Sequence, residues 1–232
     1  MTSLTTIAFD ADDTLWQNQK FYDAAESACI DLLLDYGDKK QVSARMIETE
    51  RRNVLVYGVG VKSFMLSMIE TAVEVSNHKV SPKIIADIIR IGRELTSYPI
   101  EVLPYVHETL EVLAESHKLI LITKGDLFDQ ERKLNQSGLA DYFSKIEIVS
   151  TKIPSTYQRI FESHADGPQR SMMIGNSLKS DIIPALEAGS FGIHIPHHLM
   201  WALEHAEPPF ENSRFHVLEN IKQLPDLIEK IT

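Results

Sequence analysis

Continuous apolar runs alternate with helical patterns along most of the chain. The runs lie at residues 6–9, 118–123, 146–150, 171–175 and 191–195, and a further edge strand is expected near Phe215. Continuous rather than alternating runs are typical of parallel strands that are buried on both faces. Segments with apolar residues at helical spacing separate them. This alternation predicts an α/β fold with a doubly wound parallel sheet sandwiched by helices.

Residues 18–98 interrupt this alternation, because they carry helical spacing and no convincing strand. A first helix should end near Gly37, a second should span about 43–56, and a third should follow the break at 57–60. Ser81 and Pro82 suit the N-cap and first position of a fourth helix. We therefore predict an inserted helical bundle at 18–98 and a sheet domain made of 1–17 and 99–232.

Composition and charge narrow the classes of partner. The net charge is -10 and no basic run offsets it, which disfavours nucleic acid and anionic membranes as partners. No run approaches the roughly 20 apolar residues of a membrane span, and the amino terminus lacks a signal-peptide pattern. The single cysteine, Cys29, excludes an intrachain disulfide. A cytoplasmic setting is expected, and the oligomeric state is left open.

The first predicted strand ends in a cluster of carboxylates. Asp10 and Asp12 directly follow the apolar run, at the strand end where open α/β sheets bind ligands. Two like charges so close together cost energy unless a cation or a proton lies between them. The pair therefore indicates either a divalent metal or a shifted pKa.

Polar residues follow three other strands as well. Thr123 and Lys124 follow the second strand, Lys152 the third, and Asn176 with Asp181 the fourth. Carboxylate and carboxamide oxygens are hard ligands that suit Mg²⁺. Lys152, the Thr123 hydroxyl and backbone N–H groups near Lys124 could bind the oxygens of a phosphoryl group.

These four motifs, in this order, resemble those of the haloacid dehalogenase superfamily of phosphohydrolases. The first motif there is Asp-x-Asp-x-Thr, here Asp10 to Thr14. The second is an apolar strand that ends in Ser or Thr, here at Thr123, and the third is Lys152. The fourth is usually Gly-Asp-Ser with a further acid, here Gly175-Asn176-Ser177 and Asp181.

The resemblance implies a fold, a mechanism and a cofactor. It implies a Rossmann-like core in which Asp10 attacks a phosphoryl group, and a helical cap of the C1 type at 18–98 that closes over the site. Asp12 would protonate the leaving oxygen and then activate water, with its pKa raised by its acidic neighbours. Mg²⁺ would be held by Asp10, the Asp12 backbone carbonyl and the fourth motif.

The implied substrate is a small phosphate ester. Thr123, Lys124 and Lys152 are the candidate phosphate-binding residues, and Trp16 is a candidate substrate contact because the chain leaves the sheet domain there. The prediction is therefore a Mg²⁺-dependent phosphatase that acts through an aspartyl-phosphate.

One departure from the pattern keeps alternatives open. Asn176 stands where the superfamily commonly has an acidic metal ligand, so either Asn176 or Asp181 could contact the metal. A phosphomutase of the β-phosphoglucomutase type would use the same two aspartates. A non-catalytic protein that binds phosphate or metal is the alternative from another class. A dehalogenase is disfavoured, because in that branch the position of Asp12 is not an acid.

Overall fold

The computed structural model describes residues 4–231, and they form two compact units. The first, which we call the core unit, contains residues up to 17, 100–124 and 130 onward. The second, the helical unit, contains residues 18–99 and 125–129. Among the described residues, no helix has the length and apolar character that crossing a bilayer requires.

The core unit is built on a parallel sheet. Its strands within residues 4–231 are β1 (Thr6–Phe9), β2 (Lys118–Lys124), β3 (Lys145–Val149), β4 (Ser171–Gly175), β5 (Phe191–His194) and β6 (Phe215–Val217). They lie in the order β3-β2-β1-β4-β5-β6, and every pairing is parallel. The order reverses at β1, and this is the arrangement that opens a crevice at the carboxyl ends of the strands.

Helices cover both faces of this sheet, as the sequence predicts. They are α5 (Val106–Ala114), α6 (Leu127–Ser137), α7 (Pro154–His164), α8 (Ile183–Glu187) and α9 (Leu224–Ile231). Ile7 and Phe9 of β1 belong to an apolar cluster that includes residues of α5, α6 and α9. Ala8 points the other way, into a cluster that includes residues of α7 and α8. Because successive strand residues face opposite sides, β1 is buried on both, and the predicted α/β fold class is confirmed.

The helical unit contains α1 (Gln19–Leu32), α2 (Lys39–Tyr57), α3 (Val61–Val75) and α4 (Pro82–Leu95) around its own buried cluster. The Ser81 hydroxyl caps α4 at Ile84 N, as predicted. Helix α2 begins earlier than the apolar spacing indicated, because Asp38 and Gln41 form a capping box. Helix α1 ends at Leu32, before Gly37.

Candidate active site

Strand register brings the ends of three strands side by side. Phe9 of β1 pairs with Leu121 of β2 and with Ile174 of β4. Asp10 therefore leaves β1 between the segments that carry Thr123 and Asn176. This edge of the sheet collects the first, second and fourth sequence motifs within the core unit.

Lys152 joins two of the predicted residues. Its ammonium donates to Asp10 Oδ1 at 2.5 Å and to Asp181 Oδ1 at 2.7 Å. The Lys152 side chain is only 1% exposed, and those of Asp10 and Asp181 are 9% and 2% exposed. Three charged groups therefore share one buried site, and two carboxylates compete for one ammonium.

This imbalance shifts the pKa of Asp10. Burial and the neighbouring charge of Asp181 raise the pKa of Asp10 to about 7, although Lys152 acts in the opposite direction. The pKa of Lys152 is raised by Asp10 and Asp181 in spite of its own burial. A further cation beside Asp10 would favour the ionised carboxylate.

Thr14 connects Asp10 with Asn176. Its hydroxyl lies 3.0 Å from Asp10 Oδ2 and 3.3 Å from Asn176 Oδ1, and it accepts from Asn176 N at 3.1 Å. Thr14 therefore links the carboxamide oxygen of Asn176 to Oδ2 of Asp10, on the side of the carboxylate away from Lys152.

Asp12 occupies a different environment from the one its sequence context indicated. Burial opposes its ionisation, but the charge of Lys133 and hydrogen bonds from Gln130, Lys133 and Trp16 outweigh that effect and lower the pKa of Asp12. The expectation of a raised pKa for Asp12 is therefore wrong, because a cation rather than other acids lies beside it.

Lys124 contacts an acid that lies 80 residues further along the chain, in a 3₁₀ turn. Its ammonium donates to Glu204 Oε1 at 2.5 Å and to Ser180 Oγ at 2.6 Å. Glu204 also accepts from the hydroxyls of Ser180, at 2.5 Å, and Ser177. The predicted phosphate-binding lysine thus has a carboxylate partner in this structure.

Two other predicted residues are buried. Thr123 is 2% exposed at the end of β2, and Trp16 is completely buried. The Trp16 indole N–H donates to Asp12 Oδ1 at 2.7 Å. Trp16 therefore contacts Asp12 rather than presenting a free surface.

The fourth motif folds as a π-helical turn over Leu178–Ile182. Asp181 Oδ2 accepts from Ser177 N at 3.0 Å, and the buried Tyr157 hydroxyl donates to Ser180 O at 2.9 Å. A Cβ at Gly175 would lie 2.5 Å from Asp181 Cβ, so only glycine leaves room for this turn.

The oxygen donors of this site fit Mg²⁺. Among residues 4–231, no group of three or more His, Cys, Asp or Glu side chains is arranged to hold a metal. Mg²⁺ needs no such group, because it usually takes one or two carboxylates and keeps several waters. Asp10 and Asp181 supply carboxylates and Asn176 a carboxamide oxygen. The surplus negative charge that raises the pKa of Asp10 also favours a bound cation.

Sequence reasoning missed Gln130, Lys133 and Glu204. Gln130 and Lys133 lie on the buried side of α6, at 3% and 6% exposed, whereas Leu127 and Phe128 are 59% and 77% exposed, and only the structure shows this arrangement. Leu134 is the one buried apolar residue of this helix, so polar residues occupy the rest of its inner face. Glu204 ends a single 3₁₀ turn at Ala202–Glu204, and no local pattern identifies it.

Comparisons with known proteins agree with the fold and the motifs. The profile of the haloacid dehalogenase-like hydrolase family matches residues 4–189. A haloacid dehalogenase-like hydrolase from Xanthomonas campestris is 38% identical, with a TM-score of 0.86 over 98% of this chain and 91% of that one. No curated protein sequence matches significantly.

More distant structures share the fold. A Bacillus subtilis protein named as the HAD-hydrolase YfnB, bound to magnesium, is 17% identical with a TM-score of 0.68 over 97% of this chain and 99% of that one. A predicted phosphoglycolate phosphatase from Haemophilus somnus is 17% identical with a TM-score of 0.63 over 98% and 99%. Proteins named as L-2-haloacid dehalogenases share the fold at the same identity.

The chain therefore belongs to the haloacid dehalogenase-like hydrolase family. The family contains more than one chemistry, so the reaction has to be argued from the site.

Proposed function

We propose that this protein is a Mg²⁺-dependent phosphatase of a small phosphorylated metabolite. The observation that carries the proposal is the environment of Asp10, which has Lys152 on one carboxylate oxygen and the Thr14 hydroxyl on the other. A carboxylate oriented by two donors at a strand end is suited to attack an electrophile. Lys152 is well located to stabilise negative charge on a phosphoryl group.

In the first step, an oxygen of Asp10 forms a bond to phosphorus and the bond to the leaving oxygen breaks. The leaving oxygen takes a proton, and Asp12 is the candidate donor. In the second step, water attacks phosphorus and the bond to Asp10 breaks. The water proton passes to Asp12, and inorganic phosphate is released.

Asp10, the Asp12 backbone carbonyl, Asn176 and Asp181 are the residues that would hold Mg²⁺. The ion would offset negative charge on the phosphoryl oxygens. Lys152, which lies between Asp10 and Asp181, would also stabilise negative charge on the phosphoryl group, so the ion would not be the only cation there.

The remaining predicted residues would bind the phosphoryl group or orient Asp12. Thr123 remains a candidate for binding phosphoryl oxygens, and so does Lys124 if a substrate anion competes with Glu204. Trp16 orients Asp12 in this proposal and makes no substrate contact. The segment 18–98 would serve as a C1-type cap, with residues 1–17 and 99–232 as the catalytic domain.

The test is hydrolysis of an aryl phosphate by the purified protein, with and without Mg²⁺. We expect phosphate release that depends on Mg²⁺ and is lost in Asp10→Asn. Asp166→Asn is the matched control, because its side chain is 57% exposed in the same unit. Equal activity in wild type and Asp10→Asn would exclude the mechanism.

Two further assays separate the related chemistries. Halide release from a 2-chloro acid without phosphate release would indicate a dehalogenase. Conversion of a hexose 1-phosphate to its isomer without free phosphate would indicate a mutase.

A further inference from the structure

Four contacts converge on the Asp12 carboxylate. Oδ1 accepts from Trp16 Nε1 at 2.7 Å and from Lys133 Nζ at 2.9 Å. Oδ2 accepts from Gln130 Nε2 at 2.8 Å and from Lys133 Nζ at 3.1 Å. A carboxylate offers about four lone-pair sites, so these donors fill all of them.

The donors are themselves fixed. Gln130 and Lys133 lie one turn apart on α6, where both are buried. The Gln130 carboxamide also donates to Lys124 O at 3.0 Å, which ties α6 to the end of β2. Trp16 belongs to the turn that follows Asp12 and is fully buried. The Asp12 side chain nevertheless keeps 21% of its surface exposed, so it remains accessible from one side.

This arrangement restricts what the carboxylate can do. The terminal torsion of an aspartate is broad and roughly two-fold, so an unrestrained carboxylate would rotate. Donors from two separate segments oppose that rotation. With its lone pairs occupied, the carboxylate also has none left for a metal, which leaves the Asp12 backbone carbonyl as its metal-binding group.

We propose that Lys133 and Gln130 are positioning residues that hold Asp12 in one orientation for proton transfer. This inference rests on the proposed phosphatase function. When Asp12 takes the proton of the attacking water, one contact must open. The contact from Lys133 to Oδ2 is the longest, and the same ammonium stays bound to Oδ1. Oδ2 is therefore the oxygen that receives the proton.

Lys133→Met tests this role, and Lys118→Met is the matched control because Lys118 is exposed on the same unit. The substrate is an aryl phosphate with a good leaving group, so that hydrolysis of the phosphoenzyme limits the rate. We expect kcat and KM to fall together, by about 10- to 100-fold, in Lys133→Met, because slower hydrolysis of the phosphoenzyme lowers both and leaves kcat/KM nearly unchanged. Lys133→Arg should recover part of the loss, and Lys118→Met should match wild type.

The decisive readout is the phosphoenzyme, measured by intact mass after acid quenching at steady state, with the substrate well below the wild-type KM so that only a small part of the wild type is phosphorylated. Its fraction should rise in Lys133→Met and in Gln130→Leu but stay at the wild-type level in Lys118→Met. A purely structural defect would lower activity without this accumulation. Thermal unfolding of each variant shows whether it is folded, and Gln130→Leu serves if Lys133→Met is not.

Two results would overturn the positioning role. They are an unchanged kcat in folded Lys133→Met, and a reduced kcat with no rise in phosphoenzyme. Absence of phosphate release by the wild type itself would instead overturn the proposed function. The two failures are thus distinguishable.

Discussion

The Lys152 ammonium lies 2.5 Å from Oδ1 of Asp10, and its other acidic partner, Asp181, lies 2.7 Å away. One buried cation therefore serves two buried carboxylates. The uncompensated charge should make the stability of the protein sensitive to pH and to added cations.

We predict that, without divalent cations, wild type loses stability relative to Asp10→Asn as the pH rises. Asp10 has a pKa of 3.8 as a free side chain and about 7 in the folded protein, so unfolding releases a proton between these values. Rising pH therefore favours the unfolded chain across this window. We expect a relative loss of about 2–4 kcal/mol, measured by chemical unfolding in EDTA.

Mg²⁺ should reverse this trend, since it binds the ionised form of Asp10. The rise in melting temperature on adding Mg²⁺ should be larger above pH 7 than near pH 5. A wild-type stability that stays constant relative to Asp10→Asn across this range would contradict the charge imbalance.

Asn176→Asp should strengthen Mg²⁺ binding. The substitution adds a charged oxygen beside Asp10 and Thr14, and calcium and magnesium sites are tuned by the number of charged ligands. We expect the dissociation constant from calorimetric titration to fall about 10-fold, or about 1.4 kcal/mol. Asn135→Asp, on the exposed side of α6, is the control. Equal affinity in both variants would remove Asn176 from the metal site.

Glu204→Gln should destabilise the protein by about 1–3 kcal/mol, because it leaves Lys124 without its carboxylate partner. Burial opposes ionisation of Glu204, but Lys124 and the hydrogen bonds lower its pKa. Because the pKa of Glu204 is lower in the folded protein than its value of 4.5 in the unfolded chain, the ionised carboxylate stabilises the fold above pH 4.5. This stabilisation is lost as the pH falls through the pKa of the folded protein.

The difference between Glu204→Gln and wild type should therefore shrink in acid. Glu207→Gln is the control in the same segment, since its side chain is 92% exposed. Denaturant unfolding at neutral and acid pH measures both. A difference that is independent of pH would show that the carboxylate charge is not what stabilises this contact.

Gly175→Ala should destabilise the core unit by about 1–3 kcal/mol, because the new methyl group would overlap Asp181. Gly37→Ala, where the nearest atom lies at 3.4 Å, is the comparison. A melting temperature equal to that of Gly37→Ala would mean that the turn around Asp181 relaxes readily.

The fold followed from local patterns because burial on both faces makes a parallel strand continuously apolar. The strands around Phe9, Leu121 and Ile174 were visible for that reason. The start of α2 could not be predicted from apolar spacing, because a capping box of Asp38 and Gln41 extends the helix beyond its apolar residues. Helix ends depend on single side-chain hydrogen bonds, which periodicity cannot detect.

Site residues could be predicted where polar side chains follow the end of a strand. Asp10, Lys152 and Asp181 were expected as candidates, and the structure brings them together. The partners of these acids were not predictable, because Lys133 is 121 residues from Asp12 along the chain. Only the tertiary fold determines which cation meets which acid.

The π-helical turn at Leu178–Ile182 makes the direction of the Asp181 side chain depend on the number of residues before it. Each residue of a helical turn rotates the chain by roughly 80–100°, so deleting one residue between Ser177 and Asp181 would swing that carboxylate away from Lys152. Exchanging the intervening side chains would leave the direction of Asp181 intact. The direction of the Asp181 carboxylate therefore depends on the number of residues that separate it from Ser177 more than on their identity.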